Sequence, residues 1–339
     1  MFPPEDALPL RIRDHPRYHE IASGYNLCRN LEWSIQREID LGKDLEKDLI
    51  HCRILGYLFH YFPARDIKPF VREIVTTNGR PRELLQLGEF YYDFFIRSFK
   101  SNEGKSPPSS SPLSPHPSDN VAQLIECILQ EAPQDRRTAK KHALVRDSFQ
   151  CPVTKVYDWD AVMCSEEMEM KITCEGAEGG FTQCVHIFLE FTNANITPDS
   201  TEFWATYAAS VWGVLDRFGY SALREELNGP NIHRLENIVT MEKSLRIHFD
   251  RLWIWFTATE EPNTYKLEEI RDWLISRYPN PTYLSIHAAC AKIAHVSGAG
   301  RYIEKIFRCM ADVRALSEGG GSAELLDEAI LSSMHAIPV

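Results

Sequence analysis

The chain has 339 residues, of which 44% are hydrophobic and 25% charged, enough apolar material to bury a core and enough length for two domains. Lys and Arg number 37 against 48 Asp and Glu, a formal charge of −11. That balance argues against a general polyanion binder, which would show a basic domain, but leaves room for a local basic patch.

The N-terminus, Met-Phe-Pro-Pro-Glu-Asp, has no basic region followed by an apolar one, so no secretory leader is read there. No run approaches the roughly 18 apolar residues of a membrane span. Nine scattered cysteines without a Cys-x-x-Cys pair suit reduced thiols. The expectation is a soluble intracellular protein, nuclear or cytoplasmic, with no membrane partner. The sequence does not set an oligomeric state.

Taken in order, residues 1–100 read as a helical domain with 15 basic and 15 acidic residues. Ile50, Ile54, Leu58 and Phe62 recur at fourfold spacing and stop at Pro63. Asn78-Gly79 marks a turn, and a further helix starts near Pro81 and carries the aromatic run Phe90–Ile96. Residues 101–120 hold 7 Ser and 5 Pro, a linker composition that buries no apolar area.

Beyond the linker the pattern is mixed. Helices are expected over 121–131 and 136–147, and short strands over Cys151–Thr154, Met168–Thr173 and Gln183–Ile187. A helix is expected over 202–218 and a buried strand over Leu252–Phe256. The end of the chain reads as helices over 282–297, 301–316 and 323–334. Gly319-Gly-Gly-Ser322 lacks the Lys-Ser/Thr of a phosphate loop and reads as a linker and helix cap. His287, Cys290 and His295 fall on one such helix and read as core rather than metal ligands. Trp253 and Trp255 read as core with one surface contact.

Three pieces carry chemistry. The first is a basic helix running into Cys151-Pro-Val-Thr154, with Arg136, Arg137, Lys140 and Lys141 as candidate nucleic-acid contacts. The second is Cys184-Val-His186-Ile. The third is Leu235-Glu-Asn237-Ile-Val-Thr-Met241, followed by Arg246-Ile-His248-Phe-Asp250. In this order the pieces resemble the HNH endonuclease domain, and more closely the fungal family of HNH-domain proteins. The resemblance runs through most of the chain and is strongest over 136–335.

The resemblance implies an α+β fold, mostly helical, with a central ββα-metal module. Its domains would be 1–100 (helical), 121–265 (HNH-like) and 266–339 (a helical C-terminal region packed on the module). It further implies one divalent metal ion, Mg²⁺ or Mn²⁺, hydrolysis of nucleic acid, and duplex DNA as the partner. His186 takes the general-base position, suited to it by an imidazole pKa near 6.5. Asn237 takes the position that orients that base. Asp250 and His248 remain for the metal.

The chain departs from the family at one ligand. Four residues before Asp250 the family has His; here stands Arg246, which has no lone pair for a metal but can contact a phosphate. His248, two residues before Asp250, lies roughly 200° around the helix. Position 185 is Val, and Lys155 stands where a tight turn suits Gly. Two outcomes therefore stay open: a metal-dependent nuclease, or a degenerate HNH fold that binds nucleic acid or protein. A helical interaction protein is a third reading. The acid concentrates in 151–339, with 27 acidic against 16 basic residues, the same region that holds the presumed site.

Overall fold

The computed structural model describes residues 7–9, 12, 18–100, 133–163, 165–189, 202–261, 264–268, 273–276 and 279–312. The chain runs α1 (Tyr18–Asp40), α2 (Glu46–Leu58), α3 (Lys68–Thr76), α4 (Pro81–Tyr91), a π-helical turn (Tyr92–Ile96) and α5 (Arg97–Phe99). Then come α6 (Arg136–Arg146), β1 (Tyr157–Asp158), α7 (Trp159–Met163), α8 (Glu166–Glu175), β2 (Gly179–Gly180) and β3 (Thr182–His186). After α9 (Glu202–Arg217) and α10 (Ala222–Glu226), two 3₁₀ turns (Gly229–His233, Leu235–Asn237) lead into β4 (Ile238–Glu242) and α11 (Lys243–Asp250). A three-stranded meander, β5 (Trp255–Ala258), β6 (Thr264–Glu268) and β7 (Trp273–Ser276), precedes α12 (Pro281–Val296) and α13 (Ala299–Asp312). The fold is α+β and mostly helical, as expected. Among the described residues no helix is long and apolar enough to cross a membrane.

The chain forms two compact units that interleave in sequence. The first gathers 1–101, 196–224 and 289–332; the second gathers 102–195, 225–288 and 333–339. This partition does not follow the consecutive order expected from the Ser/Pro segment, which itself lies outside the described residues.

The first unit is helical. Pro81 opens α4 at its first turn, where a missing N–H costs nothing. Gly88 lets α4 cross α2: a Cβ there would stand 2.4 Å from the His51 carbonyl oxygen. Asn78 and Gly79 both take positive φ, 51° and 71°, and make the expected turn before α4. Phe95, Phe218, Tyr91 and Phe70 interlock as edge-to-face and stacked pairs in its core. Cys290 is buried in this unit with its thiol directed to the Phe95 carbonyl, in keeping with a core role.

The second unit holds the strands. Its central feature is the antiparallel pair β3–β4, in register from Thr182↔Glu242 to His186↔Ile238. α11 follows β4 directly, started by the Glu242 carboxylate accepting from the Ser244 N–H at 3.1 Å. α6 lies against the strand pair through Ala139, Ala143, Cys184 and Ile238. Its N-terminus is closed by a capping box between Asp135 and Thr138. Its C-terminus is tied down by Arg146, whose guanidinium donates to the carbonyls of Leu235 and Ile238 at 2.7 and 3.0 Å.

Several segments differ from expectation. Cys151–Thr154 is a tight loop, not a strand: Lys155 N–H returns to the Cys151 carbonyl at 2.9 Å. Lys155 sits at φ +61°, the conformation that suits Gly at that place. Met168–Thr173 belongs to α8, not to a strand. Ser165 caps this helix, Glu166, Glu167 and Glu169 favour its positive end, and Gly176 closes it at φ +60°. The strand expected at Leu252 starts only at Trp255, because Leu252 at φ +60° closes the end of α11. Trp253 and Trp255, expected as core with one surface contact, are both half-buried. Residues 264–268 and 273–276 are strands inside a stretch expected to be helical in its later part. The helices expected at 121–131 and 323–334 and the Gly319–Ser322 segment lie outside the described residues.

Candidate functional site

Every residue singled out from the sequence for catalysis, metal or phosphate lies on or beside the β3–β4–α11 frame and α6. His186 ends β3 and is buried, with 5% of its surface exposed. Its Nε2 stands 3.1 Å from Nδ1 of His233, with the rings edge to face at 5.2 Å. At that distance one nitrogen donates and the other accepts, so Nε2 of His186 is already bonded. Burial pushes the pKa of His186 well below the ordinary imidazole value; the nearby charges of Arg136, His233 and Arg246 push it the same way. His186 is therefore neutral at neutral pH.

His233 escaped sequence reasoning. Its only signal was a second imidazole four residues before Asn237, in a loop whose path is set by tertiary contacts.

Asn237 is fully buried and does not point at the charged cluster. Its Oδ1 accepts from the Phe188 N–H at 2.9 Å. Its Nδ2 donates to the carbonyls of Phe188 at 3.0 Å and Ile232 at 2.9 Å. The Asn237 carbonyl accepts from the Ile187 N–H at 2.8 Å. One side chain thus pins the chain leaving β3 to the loop entering β4.

On α11, Arg246 and Asp250 share a face, as the i, i+4 spacing requires. Arg246 Nε donates to Asp250 Oδ2 at 3.0 Å, and Nη1 donates to Gln183 Oε1 at 2.7 Å, binding α11 to β3. The pair is mostly shielded, with side chains 17% and 11% exposed. His248 turns elsewhere: its ring lies 5.4 Å from that of Trp253, which also carries the Arg251 guanidinium. So His248 and Asp250 engage different partners, and among the described residues no three His, Cys, Asp or Glu side chains gather on one point. The donor set does not fit a divalent cation, because a guanidinium holds the aspartate that would be its ligand.

The basic helix divides its charges. Arg136 lies near enough to His186 to act on its titration, and Arg137 is exposed. Lys140 pairs with Asp160 at 3.2 Å, while Lys141 is half-buried and helps depress the pKa of His142. His287, by contrast, is core: it stacks on Phe249 at 3.8 Å, nearly parallel, and burial lowers its pKa to about 3.

No family model, curated protein or solved structure matches this chain.

The chemistry of the cluster follows from its members. Arg246 supplies guanidinium donors and is paired with Asp250, and the charge of Arg136 is felt at His186.

Proposed function

We propose that β3, β4 and α11 form a degenerate HNH-like ββα module that binds nucleic-acid phosphate and has given up metal-dependent hydrolysis. The Arg246–Asp250 ion pair carries this reading. To place a cation on Asp250, the pair must break and the metal must sit beside a guanidinium. Repulsion between unit charges 4 Å apart is about 4 kcal/mol at an effective dielectric of about 20, and a divalent ion roughly doubles it. The bonded state of His186 Nε2 supports the same reading, since a general base needs that lone pair for water. Arg136, Arg137 and Lys141 give the duplex a narrow basic approach just ahead of the acidic segment 151–339.

A labelled duplex should bind in the presence of EDTA, and its affinity should fall steeply with salt as counterions are released. Plasmid incubated with Mg²⁺ or Mn²⁺ should be nicked no faster than with a His186→Ala control. Metal-stimulated nicking that disappears in His186→Ala would restore the nuclease reading.

A further inference from the structure

We infer that the seam between α1 and α2 is a recognition site for an extended Leu-Pro segment of a partner protein, and that the chain's own Ala7-Leu8-Pro9 fills it in the resting state. The inference goes beyond the phosphate-binding reading and does not depend on it. Every residue involved belongs to the first unit. Residues 7–9 take no regular secondary structure and alternate exposed, buried, exposed, as an extended strip laid on a surface does.

Each part of the strip meets a dedicated side chain. The Leu8 N–H donates to both oxygens of Glu32, at 3.1 and 3.0 Å. Glu32 is buried on α1, and Arg53 of α2 donates from Nε to its Oε1 at 2.7 Å, so the carboxylate is held and neutralised where it meets the strip. The Pro9 carbonyl accepts from the Tyr25 hydroxyl at 2.8 Å. That hydroxyl has one proton, which goes to Pro9, so its 3.0 Å contact with His60 Nε2 is an N–H donated by the imidazole. The Leu8 side chain is buried against Gly56 of α2. A Cβ at Gly56 would stand 2.4 Å from both Cδ atoms of Leu8, so the seat exists because the helix carries no side chain there. Glycine inside a helix weakens it relative to alanine; here it makes room for a leucine.

The two residues suit the seat for different reasons. Leu8 fills the gap at Gly56. Pro9 has no N–H to leave unpaired, and it biases Leu8 toward extended backbone. The hydrogen bonds of the strip run to side chains rather than to helix backbone. That is how a groove takes up a peptide: main-chain groups are held, and a pocket reads one side chain. The same seat accepts a Leu-Pro segment from another chain once the tethered copy leaves. Residues 10–17 join the strip to α1. A tether so short gives the resident copy an effective concentration of about millimolar, which keeps weak ligands out.

The probe is a fluorescein-labelled peptide of residues 5–12, Glu-Asp-Ala-Leu-Pro-Leu-Arg-Ile, read by fluorescence polarisation on the full chain. Leu8→Asp sets a carboxylate against Glu32 and unseats the strip. This variant is expected to bind the peptide saturably and about tenfold or more tighter than wild type, whose seat is filled. Adding Gly56→Ala to Leu8→Asp should abolish binding while favouring the helix itself. Adding Tyr25→Phe instead should weaken binding roughly fivefold, the worth of one ordinary hydrogen bond. In wild type, unlabelled peptide in excess should speed hydrogen exchange at the chain's own Leu8 amide.

Peptide binding by Leu8→Asp that survives Gly56→Ala lies elsewhere and overturns the inference. So does a Leu8→Asp chain that unfolds cooperatively, and is therefore folded, yet binds no peptide. If Leu8→Asp does not fold, wild-type exchange decides: a Leu8 amide rate unchanged by excess peptide makes the strip a fixed part of the fold and overturns the site. Each of these results leaves the reading of the β3–β4–α11 module where it stands.

Discussion

Asn237 shows how one buried side chain ties together the segments that flank a strand pair. It satisfies the N–H and carbonyl of Phe188 and the carbonyl of Ile232, all within a fully buried loop junction. Each such bond contributes about 1 kcal/mol, and leaving buried partners unmade costs more. Asn237→Ala should therefore lower stability by about 3 kcal/mol or more, read as a shift in the denaturant midpoint; a loss under about 1 kcal/mol would remove its pinning role. At this scale the sequence was informative where spacing fixes geometry. Arg246 and Asp250 had to share a helix face, and they form an ion pair. His248, kept with Asp250 as a metal candidate despite its two-residue spacing, packs at Trp253 instead. Spacing carries no such rule for loops, so His233 became visible only when the 3₁₀ turns brought it to His186.

Among the elements, the close crossing of α2 and α4 depends on the bare backbone of Gly88. Gly88→Ala would push a methyl group to 2.4 Å from the His51 carbonyl oxygen, a contact that backbone cannot relieve by a rotamer change. The expected cost is about 2–3 kcal/mol of stability, as for other overpacked cores, measured by thermal or urea unfolding. An Ala variant as stable as wild type would mean that the helices can separate without loss. Long periodic helices were legible: α4, α6, α9 and α12 begin and end within a residue or two of the expected positions apart from the aromatic continuation of α4. α8 was not. Met168, Met170 and Ile172 alternate with polar residues like a strand, yet the Ser165 cap and the glutamates of the first turn carry the segment into a helix. Cys151–Thr154 failed for the opposite reason. Its apolar residues suggest a strand, but the backbone turns back at Lys155 in a conformation no propensity for Lys would suggest.

For the molecule as a whole, two features of the sequence pull apart. Charge sums to −11, with the acid gathered in 151–339, while the phosphate-binding reading needs a positive site in that same stretch. The structure eases this conflict through placement. The three glutamates at the start of α8 complement that helix end, and Asp250 is neutralised within its ion pair with Arg246. The division into units was the least legible property. Composition marked a linker at 101–120, but the segments 196–224 and 289–332 join the first unit, and no local signal encodes such a return of the chain.

The claim on which the rest depends is that Arg246 has displaced the metal. Calorimetric titration of Mn²⁺ into the full-length protein tests it directly, with Asp250→Ala as control. The account predicts no saturable single-site heat for wild type and no difference from Asp250→Ala. Stoichiometric Mn²⁺ binding that is lost in Asp250→Ala would contradict it.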